Sequence, residues 1–273
     1  MTSSEKMREI WTKALEEYCQ DYNIPIEYLA ETLKDPKVIP MIRGKAFEFS
    51  VILKLKDVLP SSTWLVEKPF INPQLGFHDQ DVLLTHIKSG KKISIECKLA
   101  AKGGFKKIKT NYQIRVKCMR SRTLGAEQVE KLAPQRGLTV QQLTVHNDQY
   151  LPSDFDAVIT SIGNSFYETD DSGVFVWKPT DDGKSFLESI YDKKSDMSSK
   201  DFAFLSMYVA KSSDLAINDN GVICTRKKCT EKESCGFIPN YPVIKFSNDS
   251  KEPLSAWISL ENSERIFLSI IGE

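Results

Sequence analysis

Alternating apolar and polar residues run from Lys92 to Leu99, a pattern that constrains the fold more than any other segment of the sequence. Successive side chains of a β-strand point to opposite faces, so the apolar members face a core while Glu96 and Lys98 point the other way. The turn signal Ser89–Lys91 precedes this strand, and an apolar strand that begins at Asp81 precedes the turn. The sequence therefore predicts a hairpin that brings the Asp81 carboxylate beside Glu96 and Lys98.

Helical and strand-like patterns surround this hairpin. Apolar residues at helical spacing predict helices over Met7–Tyr22, Ile26–Lys34, Ile42–Val58 and Ala126–Gln135. Short β-like runs lie at Thr63–Val66, Asp156–Ile162, Val174–Trp177, Val243–Phe246, Ala256–Leu260 and Ile266–Ile271. The order helix, three strands, helix, strand predicts an α/β fold with a mixed sheet flanked by helices. We expect an N-terminal helical segment over 1–41, a core over 42–180 and a C-terminal extension over 181–273, or an extension continuous with the core.

Two carboxylates and an ammonium group in one place suit the hydrolysis of a phosphodiester. Carboxylate oxygens are hard ligands for Mg²⁺, which keeps several of its waters and can contact a phosphate. A bound metal lowers the pKa of a water and neutralises charge that builds up in the transition state. Lys98 can orient that water or stabilise the charge. Asp79 is an alternative ligand to Asp81, which we prefer because it directly enters the apolar strand. The competing interpretation of the whole set is a surface hairpin with a Glu–Lys pair.

The arrangement of Asp81 with Glu96-Cys97-Lys98 resembles the PD-(D/E)xK nuclease superfamily, which includes many type II restriction endonucleases. The resemblance extends to Arg43–Glu48 at the start of the preceding helix, where Glu48 matches a carboxylate that lies near the metals in many members. A plain surface glutamate explains Glu48 equally well. Gln80 differs from the Pro that precedes the Asp in the family pattern. The resemblance implies a restriction-endonuclease-like core and a Mg²⁺ cofactor held by Asp81, Glu96 and Glu48, with Mn²⁺ as a substitute.

The same resemblance implies a function and partners. It indicates a type II site-specific deoxyribonuclease that hydrolyses a short double-stranded DNA sequence, with Asp81, Glu96, Lys98 and Glu48 as catalytic residues. A palindromic site is read most simply by a two-fold homodimer, and a cognate DNA methyltransferase is expected in the same restriction–modification system. The residues after the core are then available for recognition or dimerisation. Two alternatives stay open: a structure-directed nuclease of DNA repair or recombination, and a non-catalytic DNA-binding module.

Basic residues concentrate between Lys98 and Arg122, a segment without Asp or Glu, although the chain has 37 basic and 37 acidic residues in total. Such a local positive field favours contact with a polyanion over a solvated face of mixed charge. Lysines suit phosphate contacts, whereas arginine and amide side chains can also pair with base edges. The predicted DNA-binding residues are Lys102, Lys106, Lys107, Asn111, Gln113, Arg115, Lys117, Arg120 and Arg122.

Three of the six cysteines, Cys224, Cys229 and Cys235, fall within one short polar segment. A structural Zn²⁺ normally has four ligands and a closer cysteine spacing, so we favour free loop cysteines and keep zinc as the alternative. A fourth zinc ligand would come from Cys118, His146 or His78. The irregular cysteine spacing and the absence of an apolar leader or membrane-spanning stretch in the sequence predict a reducing, cytoplasmic location.

Overall fold

The computed structural model describes residues 3–69, 80–191, 196–247 and 252–273. The helices are α1 (Ser3–Asp21), α2 (Leu29–Lys34), α3 (Ile39–Val58), α4 (Ala126–Gln135), α5 (Val140–Val145), α6 (Asp181–Ile190), α7 (Ser199–Leu205), α8 (Ser212–Leu215) and α9 (Glu264–Ile271). The strands are β1 (Trp64–Glu67), β2 (Val82–His86), β3 (Lys92–Cys97), β4 (Ala100–Ile108), β5 (Asn111–Val116), β6 (Ala157–Ser161), β7 (Tyr167–Thr169), β8 (Phe175–Trp177), β9 (Met207–Lys211), β10 (Val243–Ser247) and β11 (Ile258–Ser259). Within the described ranges, every helix is too short or too polar to span a bilayer.

A mixed sheet in the order β1-β2-β3-β6-β9-β11 organises the described chain. The strands β1, β2 and β3 are antiparallel neighbours, and β6 joins β3 in parallel. Adjacent residues of β6 enter different hydrophobic clusters: Ala157 packs with Phe47 and Phe267, from α3 and α9, and Val158 with Phe186, from α6. Because adjacent strand residues face opposite sides, each face of the sheet is covered by helices. The predicted mixed sheet flanked by helices is confirmed.

A smaller sheet in the order β10-β5-β4 contains most of the basic segment. Buried Tyr112, Ile114 and Val116 of β5 alternate with more exposed polar residues, so this strand has one core face and one outer face. The β4–β5 pairing shifts register after Ala100. Gly104 lies at this irregularity, where a β-carbon would come within 2.6 Å of the backbone of Ala101, so a larger residue does not fit.

One predicted strand is wrong, since Ile266–Ile271 lies in helix α9. The buried residues of α9 are Phe267 and Ile271, four positions apart, which places both on the same helical face. Gly272 then adopts a left-handed conformation that ends the helix. A short apolar run is compatible with either element, and here helical packing against the central sheet decides the outcome. The other predicted helices and strands are present, with ends shifted by a few residues.

The C-terminal part of the chain contributes to the central sheet. Strands β9 and β11 extend it beyond β6, and Trp257 and Phe267 pack into its two hydrophobic clusters. The sheet therefore continues across the boundary expected at residue 180. The division of the chain into functional segments stays a prediction.

Candidate active site

Asp81, Glu96 and Lys98 meet where β2 and β3 lie beside β6. Val82 pairs with Ile95, and this register sets Asp81 across from Glu96 at the end of the hairpin. The Asp81 carboxylate accepts a hydrogen bond through Oδ2 from the backbone N–H of Cys97 at 2.8 Å. Both carboxylates are buried. The hairpin thus brings together the three side chains that the alternation of the sequence placed on it.

Glu96 is held by two donors at the same oxygen. Lys98 Nζ lies 2.5 Å from Glu96 Oε1, and the Tyr150 hydroxyl donates a hydrogen bond to that oxygen at 3.0 Å. The Lys98 ammonium also lies 5.3 Å from the centre of the Tyr150 ring. Among the described residues, no hydrogen bond or ion pair engages Oδ1 of Asp81 or Oε2 of Glu96. One oxygen of each carboxylate is therefore available to a cation.

The local electrostatics favour a bound cation. Burial, followed by the negative charges of Glu96 and Glu48, raises the pKa of Asp81 to about 7. For Lys98, burial alone would lower the pKa, but the charges of Glu96 and Asp81 outweigh it and raise the pKa above its usual range. The neighbouring carboxylates therefore favour the charged form of Lys98. It can supply positive charge and hydrogen bonds.

Glu48 faces the same cleft from α3 and is also buried. It accepts from Lys45, one turn earlier on the helix, with Lys45 Nζ lying 2.9 Å from Glu48 Oε1. Lys68, which follows β1, pairs with Oε2 of the same carboxylate. Glu48 is thus a paired carboxylate near Asp81, as its charge effect on the Asp81 pKa shows, and the alternative of a plain surface glutamate does not apply.

These residues line a cleft of about 850 Å³. Four of its lining residues, Arg43, Lys45, Lys102 and Lys117, are basic and form what we call the basic rim, whereas the lining residue Arg120 is paired with Asp154. Lys102 and Lys117 belong to the predicted DNA-binding set, and both are exposed. The Lys102 ammonium donates to the Thr169 hydroxyl and lies 5.2 Å from the Phe175 ring centre. Buried carboxylates and exposed lysines therefore line the same cleft.

Three further residues of the predicted DNA-binding set share the outer face of β5 with Lys117. Asn111, Gln113 and Arg115 alternate with the buried residues of this strand, and Lys117 continues the same alternation beyond its end. The Arg115 guanidinium lies 5.7 Å from the centre of the Tyr241 ring. This face is continuous with the cleft, because Lys117 also lines the cleft.

The remaining members of the set are on the surface or bound within the protein. Lys106 and Arg122 are exposed, and Lys107 forms a 2.8 Å ion pair with Asp182. Arg120 requires a correction. Its side chain is 10% exposed, and it binds Asp154 at 2.6 Å, which also binds Arg136 at 2.9 Å. A buried ion-pair network of this kind holds Arg120 against the protein, so the structure argues against the predicted guanine contact.

Tyr150 and Lys68 contact the predicted carboxylates but were missed from the sequence. Tyr150 lies in an irregular stretch between α5 and β6, and its neighbours show no periodicity or motif that would indicate the site. Lys68 follows a short strand as one of many lysines. Asp79, the alternative to Asp81, and His78 lie outside the described residues.

Asp81, Glu96 and Glu48 do not form a compact group of three metal ligands among the described residues. Within the described ranges, the one group of three or more His, Cys, Asp or Glu residues placed to hold a metal ion consists of His146, Cys224, Cys229 and Cys235, whose ligand atoms all lie within 4.8 Å of one another. A wider carboxylate set fits Mg²⁺, because this ion keeps several waters and is commonly bound through one or two carboxylates and a phosphate. Asp81 and Glu96, with one open oxygen each, are the residues best placed to hold it.

Comparison of the chain with known protein families, with characterised proteins and with solved structures found no match in any of the three. The chemistry of the site is therefore inferred from its own residues.

Proposed function

We propose that the protein is a Mg²⁺-dependent nuclease that hydrolyses phosphodiester bonds of double-stranded DNA. The observation that carries this proposal is the meeting of Asp81, Glu96 and a protonated Lys98 inside a cleft with a basic rim. Buried negative charge attracts the metal, and the surrounding cations attract the phosphodiester backbone. Metal-dependent hydrolysis of a phosphodiester uses both features: carboxylates that bind the metal and nearby basic residues that bind the phosphate.

Each residue of the site has a distinct task in this proposal. Asp81 and Glu96 hold the metal, and Glu48 adds negative charge beside them. When bound, Mg²⁺ supplies an activated water and neutralises charge on the phosphate. The Lys98 ammonium lies next to Glu96 and stabilises negative charge as it develops on the reacting phosphate. Tyr150 positions Glu96 through its hydroxyl, and Mn²⁺ is expected to replace Mg²⁺.

The order of elements supports the resemblance to the PD-(D/E)xK core. Helix α3 precedes the three antiparallel strands β1 to β3, and α4 precedes β6, which pairs in parallel with the strand that holds Glu96 and Lys98. Duplex DNA is proposed to lie along the outer face of β5, with its backbone entering the cleft past Lys102 and Lys117. The side chains of that face are suited to both phosphate and base contacts.

Among PD-(D/E)xK enzymes, we propose a type II restriction endonuclease that cuts a short sequence. The outer face of β5 favours this specificity, since it presents Asn111, Gln113 and Arg115, residue types that pair with base edges. A structure-directed nuclease and a non-catalytic binding module are the alternatives that the cleavage experiment distinguishes.

A homodimer and a partner methyltransferase stay predictions. Helix α1 offers a surface for the homodimer. It exposes Met7, Ile10, Trp11, Leu15 and Tyr18 at helical spacing, and Cys19 is its buried residue. Exposed apolar patches of this kind mark contact surfaces between proteins. Sedimentation with and without DNA measures the assembly directly.

The test of the proposed activity is incubation of the protein with a long, mapped duplex DNA in the presence of Mg²⁺, without added metal, and with EDTA. We expect discrete fragments with Mg²⁺ only, and loss of cleavage in Lys98→Ala. Lys88→Ala is the matched control, because Lys88 is an exposed lysine in the turn of the same hairpin. It should cut like the unaltered protein.

Other cleavage results would favour one of the alternative functions. A smear would indicate a nuclease without sequence specificity and would remove the type II assignment. A preference for branched DNA or DNA ends would support the structure-directed alternative. Intact DNA in all lanes, together with Mg²⁺-independent binding that Glu96→Gln leaves unchanged, would overturn the nuclease proposal in favour of a binding module.

A further inference from the structure

The segment from residue 216 to residue 242 contains no helix or strand, yet it packs against the body of the protein. Its small hydrophobic cluster consists of Ile217, Cys224 and Cys229, with Val145 and Cys235 at the edge. Backbone hydrogen bonds close the segment at both ends, since Ile217 N–H donates to Phe237 at 3.1 Å and Gly236 N–H donates to Ile217 at 2.9 Å. Loops of this length without secondary structure are uncommon in compact domains. Here three cysteines make up most of the small cluster that packs the loop.

The three thiols converge on a histidine from a distant part of the chain. His146 follows α5, and one ligand atom from each of His146, Cys224, Cys229 and Cys235 lies within 4.8 Å of the others. Ligand atoms around a tetrahedral Zn²⁺ with sulfur bonds of about 2.3 Å are about 3.8 Å apart. Side-chain rotations that shorten these separations by about 1 Å would therefore complete a tetrahedron.

The ring of His146 is oriented by its neighbours. Its Nδ1 lies 2.6 Å from the side-chain oxygen of Gln149, and the side-chain nitrogen of Gln149 donates to the backbone oxygen of Ile238 at 2.9 Å. The second bond fixes which end of the Gln149 amide accepts, so Nδ1 must be the protonated ring nitrogen. The lone pair of neutral His146 is then on Nε2, which is the nitrogen left for a metal. The ring also stacks on Phe237, with centroids 4.2 Å apart.

This arrangement is typical of a metal-binding histidine. Such residues donate their second ring nitrogen to an oxygen acceptor, which sets both the tautomer and the ring orientation. A neutral imidazole and three thiolates form a soft ligand set that prefers Zn²⁺ to the hard cations bound by carboxylates. Four protein ligands leave no position for a substrate, so the site would be structural.

We propose that Cys224, Cys229, Cys235 and His146 bind one structural Zn²⁺ that ties the segment 216–242 to the end of α5. Of the candidates for the fourth ligand, Cys118 is buried in a different hydrophobic cluster, and His78 lies outside the described residues. The proposal takes up the zinc alternative for Cys224, Cys229 and Cys235 in place of free loop cysteines. This proposal is independent of the proposed nuclease activity.

The test is the zinc content of the purified full-length protein, followed by replacement of the metal with Co²⁺. We expect about one Zn²⁺ per chain, and a Co²⁺ form with thiolate-to-metal charge-transfer bands and the strong visible absorption of a tetrahedral site. Cys229→Ser and His146→Gln should each lose most of the zinc. Gln149→Leu, which removes the partner of Nδ1 together with the side-chain bonds to Ile238 and Arg226 but leaves all four ligands in place, should weaken zinc binding by about 10- to 100-fold.

Cys19→Ala provides the control, because Cys19 is a buried cysteine on α1 outside this cluster and its removal should leave the zinc content unchanged. The Co²⁺ spectrum uses the unaltered protein, so the test does not depend on whether the cysteine variants fold. Protein from zinc-supplemented growth with far less than one Zn²⁺ per chain, and no charge-transfer bands after Co²⁺ addition, would overturn the proposal. Equal zinc contents in Cys229→Ser and Cys19→Ala would also overturn it.

Discussion

The carboxylate cleft and the cysteine–histidine cluster differ in chemistry and in spacing, although both collect ligand atoms from distant parts of the chain. The cleft holds Asp81, Glu96 and Glu48, which do not form a compact ligand group, pairs two of them with lysines, and has a basic rim. The cluster brings four soft ligand atoms within 4.8 Å of one another, three of them on buried residues. A wide, hydrated, hard-ligand site can exchange metal, water and substrate. A compact soft-ligand site holds one ion permanently.

The two regions are joined by the five-residue stretch from His146 to Tyr150. His146 belongs to the cluster and Tyr150 contacts Glu96 in the cleft. Between them, Gln149 contacts both His146 and Ile238, and the backbone N–H of Ile238 donates to the backbone carbonyl oxygen of Tyr150 at 2.8 Å. The cluster therefore anchors a stretch that positions a group in the cleft. Variants on the two sides should accordingly differ in which property they alter.

The largest expected effect is on cleavage by Asp81→Asn, which should lower the rate by about a thousandfold, because it removes a proposed metal ligand. The free energy of unfolding of Asp81→Asn should be equal to that of the unaltered protein or higher. Burial and the neighbouring carboxylates raise the pKa of Asp81 to about 7, so the ionised form destabilises the fold at higher pH, and a neutral amide removes that cost. The amide oxygen can still accept from the Cys97 N–H. Cleavage rates and thermal denaturation measure the two effects.

Asp156→Asn is the matched control for that variant. Asp156 accepts hydrogen bonds from the backbone N–H and the hydroxyl of Ser94 at 2.7 and 2.8 Å, and thereby connects β3 to the start of β6. Ser94 lines the cleft, but Asp156 itself does not. It should lower stability and retain cleavage. If Asp81→Asn destabilised the protein and cut DNA normally, the carboxylates of the cleft would be structural, and the contrast between the two regions would be lost.

A smaller effect is expected from Tyr150→Phe, which removes the hydroxyl donated to Glu96. The cleavage rate should fall by about 10- to 100-fold, as for residues that orient a metal ligand, while the zinc content stays unchanged. Because Tyr150 acts through Glu96, higher Mg²⁺ concentrations should restore part of the rate. Rates measured over a series of Mg²⁺ concentrations test this.

Tyr208→Phe alters another buried tyrosine, on β9, that does not line the cleft, and it should leave the Mg²⁺ dependence unchanged. A Tyr150→Phe variant with an unchanged Mg²⁺ dependence would show that this hydroxyl does not position Glu96. A loss of zinc in Tyr150→Phe would show that the two regions are less separable than their geometry indicates.

Local sequence patterns predict the parts of this molecule that depend on a single element. The alternation in β3 predicts both the core face and the pairing of Glu96 with Lys98, because strand periodicity determines both. In α9, the apolar run is too short for its periodicity to distinguish a helix from a strand. The distinction depends on packing against the central sheet, which no local pattern contains.

Contacts between distant segments explain the other differences. A cluster of basic residues indicates a positive field, but it does not show that Asp154 and Arg136 bind Arg120. Tyr150 reaches Glu96 because β6 pairs with β3. This pairing brings the residues that precede β6, including Tyr150, close to Glu96. The histidine nearest the three cysteines could likewise not be selected from spacing, since it follows a separate helix.

The smallest expected effect, about tenfold per pH unit, is on Mg²⁺ binding to the cleft. With the pKa of Asp81 raised to about 7, this carboxyl is mostly protonated at lower pH, and Mg²⁺ must displace the proton. Affinity should therefore fall as the pH drops below about 7 and level off above it. Calorimetric titrations in buffers of different ionisation enthalpy should show nearly one proton released per Mg²⁺ at about pH 6, and few at about pH 8.

Asp81→Asn should bind Mg²⁺ weakly and without this proton release. The zinc content should not change over the same range, and a Mg²⁺ affinity independent of pH would exclude Asp81 as the titrating ligand.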